Sequence, residues 1–487
     1  MTEARFDRRR WWGATLLALA AAIVGHQLFF RPIVGLADNG DYARVTDHLR
    51  LASELPAPEV AGPDDRYFLY VVRRFRNAPS VGRRNVSSEI LLGAVGRLAA
   101  IPFSPRGKFD LRWMGAAHAL ALFGAAVFLW RTASRRLPLS AAIAAGAFAV
   151  FAFTDVGYAA PLNSFYTQEA SLVFLFWAAA FAAACLDDGG RRVWPIAGYF
   201  AAALLFVASK PQEAAQSIPL AFFGAYLAWR PGRRWIAACG AALLFIAAAA
   251  LYKGTSGEGG FQQGMLYKMV FYEILPRSPD RAGDLRALGL DPALARYSGT
   301  TTTGPGSPFR DPRLHASIFP RLGQRALLRL YARRPARAVA ELVRGAPAGL
   351  ELRAEFGNFE KSAGFAPGAR SAAYSAWTKL RLLGTRAAAP LLVLFFGGNA
   401  LLAISGRVPP AARAALLMLV TMGTVAFLVC TLLSAHIDLS RKLYVFHAIT
   451  DLLIAMDLAL AGRALAARRS GRGVTAPPLP PAVPSAS

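Results

Sequence analysis

Acidic residues are scarce in this chain, with 29 Asp and Glu against 55 Lys and Arg, a net charge of +26. In a soluble protein such an imbalance points to nucleic acid. Here no nucleic-acid partner is expected, because the arginines cluster between apolar runs, where anionic lipid and span orientation account for them. Cysteine is nearly absent. Cys185, Cys239 and Cys430 are the only three, each inside an apolar run, which argues against a disulfide framework or a thiolate metal site. No metal-ligand spacing stands out, so no cofactor is expected. A divalent cation held by carboxylates is the one metal chemistry left open. The apolar runs lack strand alternation, which excludes a membrane barrel. There is no internal repeat of the kind that marks many transporters. The first apolar run has no small-residue cleavage site and is expected to stay as an anchor.

What is abundant is apolar sequence. The chain is 55% hydrophobic over 487 residues, with a mean hydropathy of +0.35. Runs of roughly 15–22 apolar residues recur, a length that spans or nearly spans a bilayer. The expected fold is an all-α polytopic membrane protein with about ten spans, at 11–33, 112–130, 139–153, 169–186, 195–209, 213–229, 235–251, 389–404, 414–434 and 444–462. The expected organisation is a basic N-terminus and first span (1–33), a first outer loop (34–111), spans two to seven (112–251), a large outer loop (252–388), spans eight to ten (389–462) and a disordered tail (463–487). Within the first loop, 87–100 reads as an interfacial amphipathic helix. In the second, Arg321, Arg325 and Arg329 share one face of a basic helix suited to lie on a membrane.

Charge bias orients the spans. One side carries Arg5, Arg8, Arg9, Arg10, Arg131, Arg135, Arg136, Arg191, Arg192, Arg230, Arg233, Arg234, Arg407, Arg413, Arg463, Arg468, Arg469 and Arg472. The short loops of the other side carry only Lys210, Arg441 and Lys442. The rule of positive loops inside then places both termini in the cytoplasm. The Ala- and Arg-rich composition fits a bacterium with a GC-rich genome, and hence its cytoplasmic membrane.

With this orientation, the polar residues at span ends collect on the outer face. Asp38, Asp41, Tyr42 and Arg44 follow the first span. Asp155 and Tyr158, then Asn163, Tyr166 and Glu169, join spans three and four. Lys210, Gln212 and Glu213 join spans five and six, and His436, Asp438, Arg441 and Lys442 join the last two. Ionisable groups at membrane depth are costly and tend to be functional. Each also has a plain structural reading: Lys210 can snorkel, Glu169 can cap a helix, and His436 can be a satisfied interfacial residue.

Four motifs resemble a known family. Asn39-Gly40-Asp41-Tyr42-x-Arg44, Asn163-Ser164-Phe165-Tyr166, Gly357-Asn358-Phe359-Glu360 and the His436/Asp438 loop resemble the GT-C superfamily of integral-membrane glycosyltransferases, and within it the bacterial WsfD-type glycan hexosyltransferases. The resemblance implies a GT-C-like bundle, a polyprenyl-phosphate sugar donor, a glycan or lipid-linked acceptor, and inverting transfer on the outer face by an acid of the first loop. Asp41 is the expected general base and Asp38 the alternative, and burial at the lipid boundary is expected to raise the pKa. Arg441 and Lys442, or the basic helix around 321–334, would hold the carrier phosphate, and Arg44 and Lys210 belong to the substrate-binding set. Tyr42, Tyr158, Tyr166, Asn163, Gln168 and Gln212 would line the sugar, with Asp155, Glu169, Glu213, His436 and Asp438 completing the substrate-binding set. Two alternatives remain. A secondary transporter would use charges such as Asp451 and Asp457 in the last span, and an envelope-assembly scaffold would need none of the outer carboxylates.

The orientation is testable. A single cysteine at Ser307 should react with an impermeant thiol reagent in intact cells, and one at Ser470 only after lysis. The reverse pattern would put the proposed site in the cytoplasm.

Overall fold

The computed structural model describes residues 2–54, 67–82, 86–105, 107–189, 191–229, 232–254, 261–302, 307–353 and 356–469. The expected disordered tail lies outside the described residues from 470 onward. Its first part is helical, because the last span continues to Arg469.

The helices that build the bundle are α1 (Thr2–Phe29), α2 (Glu89–Ala100), α3 (Arg112–Ala133), α4 (Leu139–Phe153), α5 (Val156–Leu162), α6 (Gln168–Asp188), α7 (Val193–Val207), α8 (Ser217–Leu227) and α9 (Arg234–Gly254). The large loop contributes α10 (Gln324–Arg333), α11 (Pro335–Gly345) and α12 (Ala376–Leu382). The bundle closes with α13 (Ala388–Ile404), α14 (Pro410–Leu432), the short α15 (Leu439–Lys442) and α16 (Tyr444–Arg469). Local chemistry sets several ends. Pro410 occupies the first turn of α14, where its missing N–H costs nothing. Gly189 ends α6 in the left-handed conformation at φ 62°.

The polytopic all-α fold holds, with a different division of spans. Among the described residues seven helices are long and apolar enough to cross a membrane. The pair α4 and α5, bent by 61°, passes the same test together, as a broken span or a re-entrant loop would. Helices α7 and α8 have 15 and 11 residues, roughly 22 and 16 Å at 1.5 Å per residue, short of a ~30 Å hydrocarbon core. Lys210-Pro211 separates them, and a 3-10 turn over Pro211–Gln216 buries Glu213 where a longer helix would have continued. Helix α6 is the centre of the bundle, with two thirds of its apolar window buried, and α3, α7 and α16 pack around it.

The first loop differs from a purely helical reading. It holds a three-stranded antiparallel sheet, β1 (Leu51–Ser53), β2 (Arg74–Asn77) and β3 (Lys108–Asp110), in that order. Phe75 pairs with Ser53 on one side and Phe109 on the other. Strands of three or four residues are too short to show alternation, so the sequence does not announce them. The expected helix at 87–100 does form from Glu89. Leu91, Val95 and Leu98 stay exposed along it, whereas Glu89 is fully buried.

The second loop has its own core, which includes Tyr267, Phe271, Leu275, Leu285, Leu327 and Leu330. This corrects the reading of the basic helix. The apolar side of α10 (Ala326, Leu327, Leu330 and Tyr331) is buried in that core, so it is not available to a membrane. Arg325 and Arg329 face outward.

Backbone hydrogen bonds join the two loops into one cap. Gly35 N–H donates to Asn358 O at 3.1 Å, Ala37 N–H to Gly357 O at 2.9 Å, and Val71 N–H to Phe359 O at 2.8 Å. The approach is so close that a Cβ on Gly357 would sit 1.9 Å from the carbonyl oxygen of Leu69. Backbone cannot swing aside as a side chain can. Gly357→Ala should therefore destabilise the protein by about 2–4 kcal/mol, read as a lowered thermal midpoint in detergent. Gly25→Ala, with nothing within 4 Å, is the matched control. Equal midpoints for the two variants would contradict the close approach.

Candidate functional site

The segment after α1 folds into a turn fixed from several directions. Gly40 takes φ 96°, which Gly adopts without strain. Asp38 Oδ1 accepts from Gly40 N–H at 2.7 Å and Tyr42 N–H at 3.1 Å, and Asn39 Oδ1 accepts from Asp41 N–H at 3.1 Å. Tyr42 OH donates to Leu36 O at 2.7 Å. Tyr166 OH accepts from Asn39 N–H and donates to Ala37 O. Tyr42 packs edge-on against Phe165 and Tyr166. These contacts hold the turn rigid and leave Asp41 about one quarter exposed.

Asp41 sits among cations. Arg44 Nη2 lies 2.8 Å from Oδ1, and Arg441 Nη1 donates to Oδ2 at 3.0 Å. Arg441 reaches Asp438 at 3.7 Å with its other terminal nitrogen. Its guanidinium lies over the rings of Tyr166 and Phe356, 5.1 and 5.4 Å from their centroids, an arrangement that fixes its orientation. Asp438 holds the loop in the left-handed region at φ 55°, a conformation Asp tolerates better than most residues. Lys210 and Lys268 are within electrostatic reach of both Asp41 and Arg441. Lys442 Nζ donates to Ala435 O at 2.6 Å.

The electrostatics correct one expectation. Burial does push the Asp41 pKa up, but Arg44, Arg441 and Lys210 together outweigh it and hold the carboxyl below its ordinary value. Asp41 is therefore a firmly charged carboxylate. Burial pulls Lys210 and Lys268 below the usual lysine range. It pushes Lys442 down to about 7, with Asp438 opposing. Five basic side chains, Arg44, Lys210, Lys268, Arg441 and Lys442, thus lie within electrostatic reach of Asp41 or Asp438. Such a cluster favours an added anion.

The expected site residues divide. Asp38, Asp41, Tyr42, Arg44, Tyr166, Lys210, Asp438, Arg441 and Lys442 come together here. Glu213 joins through Lys210. It is buried beside Gln212, whose Oε1 has no partner among the described residues.

The others are held by protein partners. Asp155 caps α5 through Gly157 N–H and accepts from Thr378 N–H and Oγ1–H, binding α12 to the bent span. Asn163 donates to Leu28 O and Val34 O and so fixes the exit of α1. Gln168 is buried at the start of α6. Tyr158 OH donates to Asp451 at 2.7 Å. Glu169 accepts from Tyr444 OH at 3.3 Å. His436 N–H donates to Glu273 at 3.0 Å and its ring contacts Thr431 O, so it faces the core of the large loop.

Sequence reasoning missed Lys268 and Phe356. Nothing in the large loop marks either as a neighbour of Asp41. It also missed the fully buried pair Glu89 and His118, 2.6 Å apart. Among the described residues no group of three His, Cys, Asp or Glu is placed to hold a metal ion.

Asp451, the charge that suggested a transport path, has a structural explanation. It accepts from Arg381 at 2.6 Å, Tyr158 at 2.7 Å and Trp377 at 3.0 Å, and Arg381 also donates to Gly349 O. The protein is thus a polytopic helical membrane protein whose loop cap and short interspan turns gather a cluster of basic side chains around Asp41 and Asp438. The chain belongs to the family of the YfdI N-terminal transmembrane domain, whose model matches residues 6–470. No curated protein and no solved structure matches it.

Removing Asp451 leaves a buried guanidinium without its counter-ion. Asp451→Ala should cost about 3–5 kcal/mol, seen as a large drop in thermal midpoint and yield. Asp457, whose hydrogen bond is to Asn399 alone, should tolerate Asn with little change. A stable Asp451→Ala protein would return the residue to consideration as a functional charge.

Proposed function

We propose that this chain is a membrane glycosyltransferase of the bacterial cytoplasmic membrane, with both termini in the cytoplasm. It moves a sugar, a hexose by the motif resemblance, from a polyprenyl-phosphate donor to a glycan or lipid-linked acceptor. The observation that carries this reading is the Asp41–Arg441 pair set among Arg44, Lys210, Lys268 and Lys442. A carboxylate to take a proton and cations to receive a phosphate are what inverting sugar transfer requires, side by side.

The pair suggests how the two roles are linked. In the free protein Arg441 holds Asp41 Oδ2. A donor phosphate competes for the same guanidinium, which binds phosphate oxygens bidentately. As the phosphate takes up the Arg441 donors, their hold on Oδ2 weakens and its affinity for a proton rises. The acceptor hydroxyl then gives its proton to Asp41 as its oxygen bonds to the anomeric carbon. The carbon–oxygen bond to the phosphate breaks with its electron pair left on the phosphate oxygen, where the cations stabilise it. Attack opposite the leaving group inverts the anomeric configuration. Asp38, with Oδ1 held by two backbone N–H groups, serves better as the support of the turn than as the base. The family name, a transmembrane domain matching nearly the whole chain, suits an enzyme whose substrates are lipids. The three donors on Asp451 weigh against the transporter alternative.

The reading is tested with purified protein and a panel of polyprenyl-phosphate sugars, following loss of sugar from the lipid. Asp41→Asn should fold and bind donor but lose about 10²–10⁴-fold in turnover. Arg441→Gln should lose about 10²-fold in kcat and raise the donor KM. Wild-type turnover in Asp41→Asn would end the base assignment.

A pH effect follows from Lys442. An amine titrating at about 7 is charged below that pH and neutral above it. The donor KM should therefore rise as the pH climbs through about 7, and Lys442→Arg, which stays charged, should abolish the rise. A KM flat across this range in the wild type would remove Lys442 from the phosphate site.

A further inference from the structure

The bundle contains a large apolar cavity that runs from Arg136 and Arg463 at the end away from Asp41 along the spans as far as Thr154 and Leu162. It lies between α1, α3, α4, α6, α14 and α16 and has a volume of about 490 Å³. That is about three times the ~150 Å³ apolar cavity that stays dry and takes up benzene. Its walls are almost wholly apolar, and small residues dominate them, among them Ala126, Gly146, Ala182 and Ala415. In a bilayer, small residues normally let helices close on one another, since packing, not water, drives their association. Here they face a gap. Trp130 forms part of its lining and packs against Gly13 and Gly146, either of which would collide with it if a Cβ were added. Trp130 is therefore held closely between α1 and α4 at the edge of the space.

Charge at the lining has one sign. Arg136 and Arg463 are its only charged residues, and both are exposed. Arg136 is paired with Asp187, while Arg463 has no ion pair with a described residue. An aqueous solute would find no polar partners on the apolar wall, so the interior suits a hydrocarbon chain and the mouth suits an anionic headgroup.

We propose that this cavity is a binding site for one anionic phospholipid of the leaflet at that end, with an acyl chain filling the space between α1, α3 and α14 and its phosphate near Arg463 and Arg136. The lipid wedges the bundle apart and acts as a structural ligand. This site is separate from the transfer reading, because its lining includes none of the residues around Asp41, its charged mouth lies at the other end of the spans, and it needs no donor.

The test uses the full chain in nanodiscs made of phosphatidylglycerol, phosphatidylcholine or their mixture, then released into mild detergent for native mass spectrometry. The wild type should retain one phosphatidylglycerol from the mixture. The double variant Ala126→Leu and Ala415→Leu, which fills the cavity, should lose that lipid and keep its thermal midpoint without it. Arg463→Gln, a change at an exposed position, should weaken retention about fivefold and erase the preference over phosphatidylcholine. Brominated phosphatidylglycerol should quench fluorescence in the wild type more than in Trp130→Phe. Retained lipid unaffected by both variants, equal retention of the two headgroups by the wild type, or retention of an isoprenoid phosphate in its place would overturn the proposal.

Discussion

A charge carried into a hydrocarbon layer must be met by an opposite charge or by several hydrogen bonds, and much of this structure follows from that requirement. Arg381 and Asp451 are the clearest case. One comes from α12 in the loop cap and the other from the middle of the last span, and their contact at 2.6 Å is fully shielded. Tyr158 and Trp377 complete the carboxylate's partners, so α5, α12 and α16 meet at one point. Replacing such a pair with apolar residues need not weaken a fold, but breaking it does. The pair therefore works as a register mark: the cap can sit on the bundle in one way without stranding a charge.

The same requirement separates the supporting polar groups from the candidate site. Asp155 and Asp451 find their donors within the protein. Around Asp41 the balance is different. Cations outnumber carboxylates, Arg441 is shared between Asp41 and Asp438, and the group is partly open to its surroundings. A cluster that is rigidly held yet electrostatically incomplete is prepared for a ligand of the missing sign. The aromatic rings beneath Arg441 and the hydrogen-bonded turn beneath Asp41 keep both groups in place before any ligand arrives, which is the form preorganisation takes in such sites.

The cap that builds this cluster is made of two loops far apart in sequence, and its joint is backbone. Hydrogen bonds between 35–37 and 357–358 hold it, while Gly357 permits the approach. Arg441 then arrives from a third place, 400 residues from Asp41. The site therefore depends on the bundle being complete. At its other end the bundle is the reverse, with small residues facing a void and arginines at the rim. One end is shaped by charge, the other by volume.

Much was determined by the sequence alone. Apolar runs with no alternation can only be helices in lipid, since the backbone there has no water to bond. Asn39-Gly40 reads as a turn because of the freedom of Gly, and it puts Asp41 in the segment that follows the first helix. The residues Arg441 and Lys442 were visible as cations in a short loop. Tertiary structure alone decided the rest. The shortness of α7 and α8 depends on where Glu213 is buried, and the three strands are too short to carry a pattern without their partners. The apolar side of α10 is the same whether it meets lipid or Tyr267 and Leu275, so its sequence cannot distinguish them. Lys268 and Phe356 lie in loops where neither charge nor ring is unusual. The pKa of Asp41 shows the limit most directly. Burial alone would raise it, as the sequence suggested, but Coulomb attraction depends on distance in space, and only the fold brings Arg441 to 3.0 Å.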